Sequence, residues 1–411
     1  MRVPLKGDVI CTVVILTVLC VILYTQYGFT ATWGIENLIK ETSNTRVVLG
    51  TTAKRLEEEL VTPQRYSGQM CNSEPVDEGA VQPTRAPSLS RPPFNFKQYL
   101  RNKDCRDFKL LLNQPGKCVG DTFLLIAIKS VAEEFEKREV VRKTWGAEGL
   151  LNGVKINMVF LLGVPKNQTQ FPEWELLLRY ESRAHRDILL WDFQDTFFNL
   201  TLKEINFLKW LDIFCPDVKF IFKGDADIYV NVDNIVELLK ERSPGEDVFI
   251  GDVIYQAQPI RSKKSKYFIP EMVYGQGIYP AYAGGGGFIM SGFTAKRLER
   301  ACREVELFPI DDVFMGMCLL RIGLKPDSHE GFRTFGIVRP SAAPHLQVFD
   351  PCFYRELMVV HSLTVAEMWL MWKLLHDPEV QCNTKVVVRK SFKWTRKNHK
   401  HKKEDLGLKL S

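Results

Sequence analysis

The sequence lacks the paired cysteine spacing of a zinc site. None of its ten cysteines falls in a CxxC pair, which turns the expectation from metal towards disulfides and buried thiols. Cys11 and Cys20 lie in an apolar run. The other eight are spread along the chain at 71, 105, 118, 215, 302, 318, 352 and 382. Cys105 and Cys118 flank a short segment and are the pair expected first, with Cys215 and Cys318 as candidate free thiols. Internal repeats are also missing. A basic body is missing as well, although the formal charge is +6. From Lys385 onward ten Lys or Arg face two acids, and that surplus of eight leaves −2 for everything before it. A nucleic-acid reading of the body thereby loses its support, and none is expected. What is present is hydrophobic residue enough, 45% of 411, to bury a large core.

One stretch lacks charge altogether. Val9 to Tyr24, VICTVVILTVLCVILY, approaches the minimum for spanning a bilayer. It ends in Leu23, Tyr24, Gln26 and Tyr27 rather than the small residues of a cleavage site, which favours an uncleaved anchor over a signal peptide. Arg2 and Lys6 precede it and the next basic residue is Lys40, so the amino terminus is expected in the cytoplasm and the rest in the lumen. The expected organisation is a tail over 1–8, an anchor over 9–27, a luminal stem over 28–98, a catalytic domain over 99–384 and a basic tail over 385–411. Two sequons, at Asn167 and Asn199, have meaning only for a luminal domain. Thr201 and Glu204 read equally as a capping box opening a helix that runs to Phe214.

Between the stem and the tail, apolar runs alternate with amphipathic segments. Thr122–Ile128, Lys155–Leu162, Ile188–Phe193 and Asp247–Ile254 read as strands. Near-continuous apolar strands separated by helices predict an α/β fold whose mainly parallel sheet is covered on both faces. The run Phe220–Phe222 stops at Lys223 and Gly224 and delivers Asp225 and Asp227 in KGDAD. Carboxylates two apart at the carboxyl end of a strand can face one hard divalent cation; an acidic turn is the other reading. The four glycines of YAGGGGF cost entropy and bury nothing, so they are expected where backbone approaches a ligand closely or bends tightly. Gly285 and Gly286 lie at the centre of that run. Nearby Tyr279 and Tyr282 suit a sugar face or ordinary packing. Asp311 and Asp312 open an apolar segment, either as acids of a helix first turn or with one turned to substrate. His361 ends an apolar run ahead of a second capping box, Thr364 to Glu367.

The motifs EVVRKTWG, DTFFNLTLKE, KGDADIYVN, YAGGGGF, FPIDDVFMGMCL and HEGFRTFGI occur in an order that resembles β1,3-glycosyltransferases of the fringe and β1,3-galactosyltransferase type. Their wording is most similar to the β1,3-N-acetylglucosaminyltransferases among them. The resemblance covers about Arg101 to Cys382. It implies a GT-A fold, a UDP-GlcNAc donor, Mn2+ or Mg2+, a galactose-terminated acceptor, inversion at the anomeric carbon and residence in the Golgi membrane as a single-pass type II protein. It also leaves room for homo- or hetero-oligomers with other glycosyltransferases. Asp225 and Asp227 match the outer acids of the family's DxD motif, with Asp227 as direct metal ligand. His361 matches a histidine on the same ion, and Asp312 matches the general base. Arg142 and Lys203 fall inside family motifs as phosphate or uracil contacts, and Gly285 and Gly286 are expected against the donor. Ala226 stands where members usually carry a middle acid, and Ala281 where they carry a second proline.

Overall fold

A computed structural model describes residues 103–169, 172–334 and 351–380, with Phe96 and Tyr99 before them. Twelve strands occur among these residues: β1 Leu110–Leu112, β2 Thr122–Lys129, β3 Gly149–Leu151, β4 Val154–Val164, β5 Ile188–Gln194, β6 Phe220–Asp225, β7 Ile228–Val230, β8 Phe249–Ile254, β9 Tyr282–Ser291, β10 Asp327–Ser328, β11 Phe332–Arg333 and β12 Val359–His361. The α-helices that flank them are α1 Phe135–Lys143, α2 Trp174–His185, α3 Leu200–Phe214, α4 Val232–Lys240, α5 Gly292–Glu304, α6 Asp311–Arg321, α7 Pro351–Glu356 and α8 Val365–Leu375. The expected anchor and basic tail, and the stem apart from Phe96, lie outside the described residues. Among the described residues no helix is long and apolar enough to cross a membrane.

The main sheet runs β1-β5-β4-β2-β6-β9-β8-β10, with β3 added to β4. Strands β5, β4, β2 and β6 are mutually parallel, while β9 is antiparallel to both β6 and β8. The sheet is thus mixed, as expected, with a parallel centre. Its centre follows from the sequence of β2, TFLLIAIK. Leu124, Ile126 and Ile128 enter the core on one face, and Leu125 and Ala127 enter the core on the other. All five are fully buried, so a strand without polar alternation is what two covered faces require. Truncating one of these large side chains to alanine costs about 2–5 kcal/mol.

A second sheet of three short strands, β11-β12-β7, leaves the end of β6. It is built from segments more than a hundred residues apart, and its register decides the site: His361 of β12 pairs with Ile228 of β7. Asp227 lies just before that residue, and its carbonyl accepts from the Leu363 amide at 2.9 Å.

Several local expectations are corrected. Cys118 is bonded to Cys215, not to Cys105. The link ties the segment before β2 to the end of α3 across 97 residues, a loop whose closure stabilises by about 4–5 kcal/mol in the chain-entropy picture. Cys105 and Cys352 are also disulfide-bonded, while Cys302 and Cys318 are buried free thiols. Thr201 and Glu204 form no capping box. Thr201 Oγ1 donates to the Phe308 carbonyl at 2.7 Å, and Glu204 meets Lys223 at 2.6 Å in the interior. The cap of α4 is Asn231, which accepts from the Asn234 amide. The Thr364–Glu367 box does open α8, with both reciprocal bonds made.

Candidate metal and transfer site

The apolar run of β6 stops at Asp225, Ala226 packs its methyl into the core, and Asp227 follows on the turn into β7. Burying the middle residue leaves the two acids on the same outer side, and β12 lays His361 beside them. The ligand atoms of Asp225, Asp227 and His361 all lie within 4.8 Å of one another. His361 Nε2 is 3.2 Å from Asp227 Oδ1 and 3.6 Å from Asp225 Oδ2. The three side chains are 31%, 35% and 21% exposed respectively, enough for an ion to enter from solvent.

The donor set fits a divalent cation. His361 Nδ1 lies 2.6 Å from the Thr334 carbonyl, which can only accept, so Nδ1 carries a proton and Nε2 faces the carboxylates. There Nε2 either holds a second proton or offers its lone pair to a cation. Burial opposes charging of the ring, but hydrogen bonds to Asp225 and Asp227 and their charges outweigh it and push His361 up to about 10. Asp225 shows the reverse balance. Burial would raise its pKa, but the Lys129 ammonium and His361 hold it well below the usual carboxylate range. Two carboxylates and one imidazole are suited to hard or borderline ions such as Mg2+ or Mn2+.

Asp312 lies across β9 from His361. It lies in the first turn of α6, and its Oδ2 accepts the Gly285 amide at 2.9 Å. Burial and the neighbouring Asp311 charge push Asp312 well above the ordinary carboxyl range, with Lys129 opposing. Such a carboxylate is more basic and better matched to taking a proton near neutral pH.

The glycines are there for space. Among residues 284–287 none has positive φ, and the run is the first half of β9 rather than a bend. A Cβ at Gly284 would meet the Thr334 side chain at 2.5 Å, one at Gly285 the Asp312 carboxylate at 2.8 Å, and one at Gly286 His361 Cβ at 3.0 Å. Successive strand residues face opposite ways, so Asp312 and His361 press on β9 from its two sides. Gly285 and Gly286 thus make room for the site's own side chains.

The galactosyltransferase family profile matches residues 136–330. Human UDP-GlcNAc:betaGal beta-1,3-N-acetylglucosaminyltransferase 9 is 51% identical over 92% of this chain and 94% of its own length. The chain belongs to the galactosyltransferase family. Mouse UDP-GlcNAc:betaGal beta-1,3-N-acetylglucosaminyltransferase 7 is also 51% identical, over 72% of this chain and 74% of its own. Human N-acetyllactosaminide beta-1,3-N-acetylglucosaminyltransferase 3 is 43% identical over 74% and 81%. Over the chain, members nine and seven are more similar than member three.

Within this galactosyltransferase domain, two cations expected on the donor are otherwise engaged. Arg142 forks onto Asp187 at 2.7 and 2.9 Å, donates to Glu181 at 2.7 Å, and stacks over Phe160. Together with Arg138, which is fully buried and bidentate on Glu181, it ties α1 to α2 and to the residue just before β5. Lys203 is fully buried too, bonded to Asp195 at 2.9 Å and the Ser130 carbonyl at 2.7 Å. Neither side chain joins the acidic cluster. Asn167 is exposed, whereas the Asn199 side chain donates to the Gln194 carbonyl. Sequence reasoning missed Lys129, whose ammonium contacts both Asp225 and Asp311. Its one signal is a charge closing the apolar run of β2.

Proposed function

We propose that this chain is a β1,3-N-acetylglucosaminyltransferase of GT-A type. It moves GlcNAc from UDP-GlcNAc to the 3-hydroxyl of a terminal galactose, with inversion, in poly-N-acetyllactosamine or core 1 extension. The observation that carries the reading is Asp312, its carboxylate held on the Gly285 amide one residue along β9 from the glycine that His361 packs against. An inverting transfer is one displacement, so it needs a base within hydrogen-bond reach of the attacking hydroxyl. Asp312 would take that proton. Asp227, Asp225 and His361 would hold the divalent ion, and a bound ion there would offset charge on the departing diphosphate. The Gly285 amide holds the Asp312 carboxylate in place while the proton is transferred.

The same reading makes the protein a type II Golgi membrane enzyme with a luminal domain. The uncharged run Val9–Tyr24, the disulfide-bonded cysteines and the exposed Asn167 sequon support it. A panel of UDP-sugars against galactose-terminated and other acceptors, with and without chelator, tests the proposal. GlcNAc transfer to galactose that stops on chelation is expected. Transfer of galactose or GalNAc instead would move the chain to another branch of the family. Sugar binding without turnover would make it a non-catalytic relative, which Ala226 in place of the middle acid motivates.

A further inference from the structure

Lys129 ends β2, directly across the parallel ladder from Asp225. Its Nζ lies 2.9 Å from Asp225 Oδ1 and 2.8 Å from Asp311 Oδ2. Lys129 and Asp311 are each 8% exposed, against 31% for Asp225. An ammonium this buried requires its partners, because an isolated charge would be strongly disfavoured there. Those two partners belong to different halves of the site: Asp225 to the cation cluster and Asp311 to the turn of α6 that presents Asp312.

The two oxygens of Asp225 are divided accordingly. Oδ1 is taken by Lys129, and Oδ2 is the oxygen turned to His361. The lysine thereby fixes the carboxylate plane and leaves one oxygen for a cation. At Asp311 the same ammonium neutralises the acid beside Asp312 and pins the first turn of α6, on whose position the Gly285–Asp312 hydrogen bond depends. Lys129 is also a positive charge next to the place a cation would take, so it opposes cation binding while ordering the ligands.

We infer that Lys129 is a positioning residue that ties the cation-binding end of β6 to the base-bearing turn of α6, trading cation affinity for alignment of the two. The alignment half rests on the proposed function, whereas the cation half does not. The test uses the purified full chain, with Mn2+ binding followed by electron paramagnetic resonance and GlcNAc transfer measured on the same samples. Lys129→Met removes the competing charge and should tighten Mn2+ by about three- to tenfold. Asp311→Asn leaves Lys129 with Asp225 alone and removes a nearby negative charge, so Mn2+ should weaken by about two- to fivefold. At saturating Mn2+ both should lower kcat by about 10- to 100-fold, with the donor KM changed far less.

A lysine serving only to hold the fold would instead weaken Mn2+ in both variants. The Lys129→Met/Asp311→Asn double variant removes both charges together and so strands neither in the interior. It should melt near the parent's temperature and remain slow in transfer. Weaker Mn2+ binding by folded Lys129→Met, or parent-like kcat in the double variant, would overturn the inference. The Mn2+ readout needs no turnover. A parent that transfers no sugar therefore overturns the proposed function and leaves the opposite Mn2+ shifts to decide this inference.

Discussion

Replacing the adjacent glycines Gly285 and Gly286 by alanine, one at a time, should damage two different things. At Gly285 the new methyl would lie 2.8 Å from Asp312 Oδ1 and 3.1 Å from Oδ2. Ordinary contact begins near 3.4 Å, so the carboxylate must retreat by about 0.6 Å and its bond to the Gly285 amide must distort. The far end of a side chain yields cheaply, and the alanine also narrows the unfolded ensemble by about 0.4–1 kcal/mol. Net stability should therefore stay near the parent's. Catalysis should not, because sub-ångström to ångström displacement of a reacting group costs about 10- to 100-fold. At Gly286 the methyl meets His361 Cβ at 3.0 Å, Cγ at 3.1 Å and the Thr334 backbone at 3.3 Å. Nothing there moves cheaply, so about 1–3 kcal/mol of overpacking is expected, together with weaker cation binding. The assays are thermal melting, Mn2+ titration by electron paramagnetic resonance, and transfer kinetics at saturating Mn2+. Gly285→Ala should lose kcat and keep Mn2+ affinity; Gly286→Ala should lose both stability and Mn2+ affinity. Parent-like kcat in Gly285→Ala, or the same loss in both variants, would refute the assignment of Asp312 and His361 to opposite sides of β9.

His361→Ala should weaken Mn2+ by about tenfold or more, the scale on which changes around a metal site are felt, measured by the same titration. The chelated protein should show a pH signature of this residue. Its folded pKa is raised from 6.5 to about 10, so its contribution to stability is complete below about pH 6.5 and is lost as pH rises through about 10. Melting temperature should fall across that window in chelator and fall less with saturating Mn2+, and an identical slope in both would sink the idea. Arg142→Met breaks a buried pair network and should destabilise by about 3–5 kcal/mol, leaving the donor KM unchanged; a raised KM with an unchanged melt would return Arg142 to the donor site.

Much of the site was legible because it sits where local sequence changes character. The apolar run of β6 ends at two acids, and that break marks a strand's carboxyl end whatever surrounds it. Asp312 and His361 were placed by resemblance, since a helix-opening acid and a strand-ending histidine each have a commoner structural reading. What brings His361 to Asp227 is the pairing of β12 with β7, a register between segments over a hundred residues apart that no local pattern encodes. The glycine run was read for what its backbone permits, whereas its importance lies in the side chains that occupy the vacated space. For Arg142 and Lys203, a cation on a helix reads alike in sequence whether it faces a phosphate or a buried carboxylate. The pairs Arg142–Asp187 and Lys203–Asp195, like the Thr201–Phe308 bond that replaces a capping box, are fixed by packing rather than by spacing.

The central claim is a division of labour in which Asp225, Asp227 and His361 hold the ion while Asp312 takes the acceptor's proton. It is tested most directly by Asp312→Asn, with Mn2+ binding and GlcNAc transfer measured in the same sample. The expected result is parent-like Mn2+ affinity with kcat lowered by about 10²- to 10⁴-fold, the scale of a lost general base. Transfer at the parent's rate would contradict the claim.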